Sequence, residues 1–189
     1  MKRQIADEID PSFDPLALRR VLGRFATGVA VVTAEGGPAG DGAMVGMTMS
    51  SFNSVSLDPP LVLFSVARSA LSLPALRAAP GYGISILGRH QEHLSNRFAR
   101  PLADKWAGVE VRRGESRVPL IEGALAYLEC APYACHEGGD HEVFIARVLR
   151  FSAAESGDPL IFFGGRYHAL ASGEAGAGGP NTASRELRS

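Results

Sequence analysis

The stretch "MTMSSFNSVSLDPP", residues 47–60, alternates apolar side chains with serine and threonine until two prolines end it. Such alternation is typical of a β-strand with one buried face. We therefore predict a strand whose hydroxyl-rich face either meets water or binds a ligand that needs small hydrogen-bond donors. An apolar run, "LVLFSVA" at 61–67, follows and ends in a second hydroxyl-bearing turn, "RSALS" at 68–72. The two segments are predicted to lie side by side.

Short strands dominate the rest of the chain. Further strands are predicted at 27–34, 81–87, 123–137, 141–154 and 159–170, with turns at 35–42 and 137–140. This spacing differs from the alternation of strands with long helices in a parallel α/β fold. The sequence therefore predicts a mainly β protein, an antiparallel barrel with short peripheral helices.

Three helices are predicted around this barrel. The first, at 13–25, has Asp14 as N-cap, Pro15 at its first position and an apolar face. That face comprises Leu18, Val21, Leu22 and Phe25. A second, short helix is predicted at 73–79, and a third begins the segment 90–108, which continues as an irregular excursion.

Length and composition indicate one globular domain. The chain has 189 residues, of which 46% are hydrophobic and 21% charged, so it can bury a substantial core. We expect a domain at 13–170 between a flexible extension at 1–12 and a disordered Gly/Ala-rich tail at 171–189. The net charge of −1 gives no reason to expect nucleic acid or a membrane surface as partner. Without a signal-peptide pattern, a cytoplasmic protein is expected.

Hydrolytic and metal chemistry are not favoured by the motifs present. No G-x-S-x-G turn occurs. The cluster "HEGGDHE" at 136–142 is interpreted first as a solvated turn, with a metal site or a single functional histidine as alternatives, because strand alternation sends His141 and Glu142 to opposite faces. Cys130 and Cys135 are expected to be buried or half-buried thiols. No metal site is predicted.

Arg68, Ser69 and Ser72 form the set of groups that a phosphate requires. A guanidinium and hydroxyls at a turn that opens a helix can bind an anion together with backbone N–H groups. Residues 48–51 would then contact a polar heterocycle attached to that phosphate. The simpler interpretation is that Ser69 or Ser72 is only the N-cap of the helix at 73–79.

Five segments resemble the flavin reductase family, the reductase components of two-component flavin-dependent monooxygenases. They are "RRVLGRFATGVAVVTA", "GMTMSSFNSVSLDPPLVLFSVARSALS", "GYGISILGRHQEHLSNRFA", "GGDHEVFIARV" and "PLIFFGGRYHAL", in order through about residues 13–170. The resemblance implies an FMN-binding antiparallel split β-barrel and a homodimer. It departs from the common family pattern at Ser50 and Ser85, where asparagine is frequent.

The resemblance also assigns site residues. Thr48, Met49, Ser50 and Ser51 would line the flavin ring and ribityl chain; Ser65, Val66 and Ala67 would follow its edge; Arg68, Ser69 and Ser72 would meet the phosphate; Arg166 and Tyr167 would close over the site. His141 would act in the nicotinamide pocket as the catalytic residue, in NAD(P)H binding or proton supply.

The function implied is an NAD(P)H:flavin oxidoreductase that passes hydride from NADH or NADPH to FMN or FAD and supplies reduced flavin to a monooxygenase. One alternative is a flavoprotein that keeps its flavin and acts on an organic substrate itself. Another is a non-catalytic split-barrel protein that binds flavin or haem. The sequence leaves FMN against FAD, and NADH against NADPH, open.

Overall fold

The computed structural model describes residues 12–36, 43–101 and 104–171. The strands are β1 (Thr27–Gly28), β2 (Ala30–Glu35), β3 (Met44–Met49), β4 (Asn53–Leu57), β5 (Pro60–Ala67), β6 (Tyr82–Ile86), β7 (Val111–Arg113), β8 (Pro119–Ile121), β9 (Ala126–Gly138), β10 (His141–Ala153), β11 (Ile161–Phe163) and β12 (Arg166–His168). The helices are α1 (Pro15–Leu22), α2 (Leu73–Ala78) and α3 (Glu92–Phe98), the last preceded by a 3₁₀ turn at Arg89–Gln91.

Seven strands form one antiparallel sheet in the order β3–β2–β6–β9–β10–β5–β4. The end strands β3 and β4 are separated in sequence by the three residues 50–52. A link of that length spans at most about 14 Å, so the two ends of the sheet must approach each other. The sheet therefore closes into a barrel with a seam between β3 and β4, which agrees with the predicted split barrel.

The opening stretch is two strands and not one, which corrects the prediction for 47–60. β3 ends at Met49, and β4 begins at Asn53 on the other side of the seam. β4 pairs with β5, from Asn53 opposite Leu63 to Leu57 opposite Pro60. Hydroxyl-bearing residues are interleaved with apolar ones on both sides of the break, which is why the sequence pattern suggested a single strand, although Ser50 and Ser51 interrupt the strict alternation.

Two other predicted elements differ in the structure. The predicted strand at 159–170 is a hairpin, in which β11 and β12 are joined by Gly164 and Gly165 at φ +58° and +80°. The predicted strand at 27–34 is interrupted at Val29, whereas the helix predicted to begin the segment 90–108 is confirmed as α3, which ends at Phe98. The paired strands β7 and β8 were not predicted, because each is only three residues long.

Aromatic residues from three strands fill the barrel. The rings of Phe64 and Phe144 stack with centroids 5.2 Å apart, and Tyr82 meets Phe64 edge-on at 5.3 Å. All three side chains are buried. Burial also raises the pKa of Tyr82 to about 12. This cluster holds β5, β6 and β10 together, and so fixes the strands on which the candidate site is built.

Helix α1 begins as predicted but does not pack on the barrel. Asp14 accepts a hydrogen bond from the N–H of Leu16 at 2.8 Å, and Pro15 follows at the first helical position. The apolar face predicted for this helix faces solvent in the single chain. Its side chains are exposed by 43% at Leu18, 67% at Val21, 63% at Leu22 and 75% at Phe25.

The two cysteines have different environments. Cys130 is buried, as predicted, and burial raises the pKa of its thiol to about 12. Cys135 is exposed, which corrects the expectation of a buried or half-buried thiol. The reason is that the outer part of β9 carries mostly exposed residues beyond Ala131, towards its turn into β10.

The predicted extensions at 1–12 and 171–189, apart from residues 12 and 171, lie outside the described residues, as does most of the turn at 35–42. Within the described ranges, no helix is long and apolar enough to cross a membrane.

Candidate functional site

A cavity of about 740 Å³ lies where the seam-side strand β3 meets the turn that follows β5. Its walls are residues 44–48 of β3, the turn 69–72, residues 98–101 at the end of α3, and the pair Lys105 and Trp106. Small-molecule sites usually have volumes of about 300–1,000 Å³. Thr48, Ser69 and Ser72, predicted from two separate segments, thus line one ligand-sized cavity.

The hydroxyl of Thr48 holds the helix behind this cavity. It donates to the backbone oxygen of Ser95 in α3 at 2.7 Å. The hydroxyl of Tyr167 lies 2.8 Å from the Ser95 hydroxyl and donates to the side-chain oxygen of Asn96 at 3.3 Å. Thr48 and Tyr167, predicted as ligand contacts, therefore meet at α3 and position it. Arg166 is exposed at the start of β12.

Ser51 closes the seam with its side chain. Its hydroxyl accepts a hydrogen bond from the N–H of Ser65 at 3.0 Å and donates to the oxygen of the same residue at 3.3 Å. It therefore continues the β4–β5 pairing where the backbone of the link has left the ladder. The neighbouring Ser50 is exposed, and its hydroxyl has no hydrogen-bond partner among the described residues.

Two predicted contacts point into the core. The side chains of Met49 and Val66 are 4% and 0% exposed and belong to the aromatic-centred core cluster. They can meet a ligand only through backbone groups. Sequence alternation marks such positions as part of the strand but does not show which face they take.

The turn 69–72 offers hydrogen-bond donors that the protein does not use. Within the described part of the chain, neither the hydroxyls nor the backbone N–H groups of Ser69 and Ser72 make a hydrogen bond. Ser72 takes the N-cap position of α2 without a side-chain capping bond. The simpler interpretation is thus confirmed for the position of Ser72, but the side-chain hydrogen bond of a capping serine is missing. Hydroxyl and backbone donors grouped at one turn form an arrangement suited to an anion.

Arg68 lies beside this turn but on the side of the β9–β10 hairpin. Its guanidinium is 3.0 Å from a carboxylate oxygen of Glu137, and its backbone N–H donates to the backbone oxygen of Asp140 at 2.9 Å. The side chain is half-exposed and is not part of the cavity wall. Arg68 stays a predicted phosphate ligand that would have to exchange Glu137 for the anion.

His141 is the first residue of β10 and lies directly opposite Ala67 at the end of β5. Its Nδ1 is 2.7 Å from a carboxylate oxygen of Asp140, and this hydrogen bond lowers the pKa of Asp140. The other ring nitrogen, Nε2, makes no hydrogen bond to any described residue. The histidine is thus oriented by a carboxylate. Its partner in the sheet, Ala67, lies just before the turn 69–72 that carries the free donors.

In the polar cluster at 136–142, Glu142 is engaged within the protein. Glu142 is buried and forms an ion pair with Arg77 of α2, whose Nε lies 2.9 Å from a carboxylate oxygen. The Arg77 guanidinium lowers the pKa of Glu142. Among the described residues, no three His, Cys, Asp or Glu side chains are grouped so as to hold a metal ion.

The wall residues that were not predicted from the sequence include Phe98, Arg100, Lys105 and Trp106. Lys105 Nζ donates to the oxygens of Gly46 and Phe98 at 3.3 and 3.2 Å, and burial lowers its pKa. Trp106 donates from its ring nitrogen to the oxygen of Met44 at 2.9 Å. In the sequence, the single tryptophan of the chain follows one of its two lysines directly, and this pair was the signal from which both wall residues could have been found.

Gly46 lets these residues approach β3. A Cβ at this position would lie 2.7 Å from a ring carbon of Phe98 and 3.1 Å from one of Trp106. The two rings are in edge contact, with centroids 4.8 Å apart. Their aromatic wall therefore depends on the absence of a side chain at residue 46.

The donor set and walls of the cavity fit a flavin. The unused donors at 69–72 suit a phosphate, and the aromatic wall of Phe98 and Trp106 suits a planar ring system. Together with the antiparallel barrel and its seam, this site defines the class of flavin-binding split-barrel proteins.

The comparisons with known proteins identify the family. A model of the flavin reductase like domain matches residues 22–171, so the chain belongs to the flavin reductase family. A relative from Rhodococcus sp, an NADH-dependent flavin reductase, is 42% identical over 173 residues, covering 88% of this chain and 93% of its own. The reductase subunit of a flavin-dependent monooxygenase from Mycobacterium tuberculosis is 38% identical over 156 residues, covering 82% of this chain and 81% of its own.

A solved structure agrees in fold. The NADH:FAD oxidoreductase of Streptomyces globisporus, in complex with NAD and FAD fragments, superimposes with a TM-score of 0.79 at 41% identity, covering 88% of this chain and 98% of its own. The resemblance to the flavin reductase family stated from the sequence and the predicted split-barrel fold are confirmed.

Proposed function

We propose that this protein uses NADH to reduce FMN or FAD and delivers the reduced flavin to a separate monooxygenase. The observation that carries the proposal is that one cavity is lined both by Ser69 and Ser72, with their free donors, and by the aromatic pair Phe98 and Trp106. The NADH-dependent relatives and the reductase subunit of a monooxygenase support it from the side of the family.

The bound flavin would supply the ring that accepts hydride from the nicotinamide. The protein's part is then to bring two rings into contact, which needs positioning more than a strong acid or base. The turn 69–72 binds the phosphate and fixes one end of the flavin. Backbone groups of 48–51 contact the ring edge, while Phe98 and Trp106 exclude water from one side of the cavity.

His141 is proposed to serve the nicotinamide side. The Asp140 carboxylate accepts a hydrogen bond from Nδ1, so the free Nε2 has a defined direction, from which it accepts a hydrogen bond in the neutral ring and donates one in the imidazolium form. Replacing His141 by Asn should raise the KM for NADH severalfold and leave the flavin dissociation constant within about twofold, because the flavin contacts lie elsewhere. An equal loss of flavin affinity would contradict this assignment.

The homodimer is proposed from α1. Val21 and Leu22 at the end of α1, with Phe25 just beyond it, form an apolar patch that the single chain leaves exposed, and such patches mark interaction sites. A Val21→Asp variant should sediment as a monomer at concentrations where the parent is a dimer. A Ser12→Asp variant is the matched control, since it adds a charge just before the helix. A parent that sediments as a monomer would refute the proposal. A cytoplasmic location stays a prediction from the sequence.

The test of the function is oxidation of NADH, followed at its absorbance band, with and without added FMN, FAD and riboflavin. Turnover that rises with free flavin supports the proposal. Turnover independent of free flavin indicates a flavoprotein that keeps its cofactor. Absence of NADH oxidation under all conditions refutes a reductase. Addition of a purified monooxygenase component then tests delivery of the reduced flavin.

A further inference from the structure

The walls of the site cavity carry positive charge without a compensating carboxylate. Arg100 and Lys105 are both wall residues, and the described lining contains no Asp or Glu. The neighbouring Asp104 is already engaged, because its carboxylate accepts the N–H groups of Trp106 and Ala107 at 3.1 and 3.0 Å. A cavity of this size with two cations and no anion of its own favours an anionic ligand.

A second cavity of the same chain shows the contrast. It has a volume of about 630 Å³ and contains three arginines, Arg112, Arg113 and Arg150. Each of these lies within ion-pair distance of a glutamate, at Glu122, Glu35 and Glu115 respectively. There the charges cancel within the protein. The imbalance at Arg100 and Lys105 is therefore a property of the site cavity and not of arginine-rich surfaces in general.

Both cations have donors left for a ligand. Lys105 Nζ is held by the oxygens of Gly46 and Phe98, which uses two of its three N–H groups. The guanidinium of Arg100 makes no ion pair or hydrogen bond with any described residue. Two separate sets of anion-binding groups thus open into one cavity, the cations here and the serine turn at 69–72.

Two such sets exceed what FMN needs, since FMN has one phosphate. A dinucleotide has a second phosphate, followed by an adenosine. We propose that Arg100 and Lys105 bind the second phosphate of flavin adenine dinucleotide, with Trp106 as the wall beside it, so that this protein prefers FAD to FMN. The inference rests on the proposed function, because it assumes that the serine turn binds the first phosphate.

Three flavins that differ in their phosphates test the inference by isothermal titration calorimetry: riboflavin, FMN and FAD. Wild-type protein is expected to bind FAD about tenfold more tightly than FMN, a gain typical of charge-assisted hydrogen bonds. Arg100→Gln should abolish that gain and change FMN and riboflavin affinity by less than about twofold. Arg89→Gln, an exposed arginine outside the cavity wall, is the control and should change none of the three affinities.

The tryptophan supplies a readout independent of flavin. Trp106 is the single tryptophan of the chain, so its fluorescence reports on this end of the cavity alone. ADP, the fragment with adenosine and phosphate, should quench it in the wild type and quench it more weakly in Arg100→Gln. Lys105→Arg keeps the charge and should retain the quenching, whereas a neutral Lys105→Gln should weaken it.

Several results would overturn the inference. Equal affinity of the wild type for FMN and FAD would do so, and so would an equal loss of both in Arg100→Gln, which would assign Arg100 to the first phosphate. If Arg100→Gln left the FAD affinity unchanged and raised the KM for NADH, Arg100 and Lys105 would be assigned to the nicotinamide dinucleotide. Failure of all three flavins to bind would instead refute the proposed function.

Discussion

Removing one hydroxyl should have opposite effects at Thr48 and at Ser72. The structure gives the Thr48 hydroxyl a bond of 2.7 Å to the backbone oxygen of Ser95, whereas the Ser72 hydroxyl has no hydrogen bond within the described residues. We therefore expect Thr48→Val to reduce stability without affecting ligand affinity. Ser72→Ala should reduce the affinity for a phosphate-bearing flavin without affecting stability.

The magnitudes follow from these bonds. A hydrogen bond such as this part-buried one contributes about 1 kcal/mol to the free energy of unfolding, and for a chain of this size its loss in Thr48→Val lowers Tm by about 2–4 °C. A serine N-cap replaced by alanine ordinarily costs about 1 kcal/mol. No capping bond exists at Ser72, so that cost should be close to zero. Loss of a hydrogen bond to a charged phosphate, about 1.5–3 kcal/mol, weakens FMN binding tenfold or more.

The assay combines urea denaturation with titration by FMN and by riboflavin. Riboflavin has the same ring without the phosphate, so Ser72→Ala should reduce the affinity for FMN and leave that for riboflavin unchanged. Thr48→Val should leave both affinities within about twofold. The reasoning is refuted if Thr48→Val weakens FMN tenfold at unchanged stability, since its hydroxyl would then bind the ligand and not α3. An equal loss of both flavins in Ser72→Ala would remove the turn from the phosphate site.

Two further predictions concern the aromatic wall and the exposed thiol. Gly46→Ala should lower the free energy of unfolding by about 1–3 kcal/mol and weaken flavin binding, because the added Cβ would lie 2.7 Å from the Phe98 ring. Gly28→Ala is the control, since a Cβ at residue 28 would have no atom within 4 Å. Equal urea midpoints for the two variants would contradict the close fit at Gly46. The pKa of the Cys135 thiol is raised, first by desolvation and then by the carboxylate of Glu142. Alkylation of Cys135 at pH 8 should therefore be slower than alkylation of free cysteine, and it should accelerate as the pH rises. Glu142→Gln should increase the alkylation rate, and an unchanged rate in that variant would count against the influence of the carboxylate.

The general plan of the barrel could be predicted from the sequence because apolar alternation and turn residues depend on local chemistry. The hairpin from β9 to β10 is an example, since "EGGD" separates two long alternating runs. The break at 50–52 could not be predicted in the same way. Ser50 and Ser51 interrupt the alternation by only one extra polar residue, and the bond of Ser51 to Ser65 of β5 is a tertiary contact that the sequence does not show.

The candidate site was predicted in part for a similar reason. Ser69 and Ser72 follow a strand directly, so their chemistry is visible in a local motif. Lys105 and Trp106 line the same cavity from a segment of irregular structure more than thirty residues further along the chain. Their position depends on α3 packing over Gly46, a tertiary contact that has no periodic pattern in the sequence.

The seam has a consequence for the protein without its ligand. β3 pairs with β2 alone, so within the described chain its outer edge presents backbone donors and acceptors that no strand satisfies. An open strand edge is a template on which other chains aggregate. A flavin whose pyrimidine edge bonds to 48–51 would occupy this edge as a neighbouring strand does. Such a ligand would protect the protein against self-association, and a reductase that releases its flavin would be most prone to aggregation in the interval between two flavins.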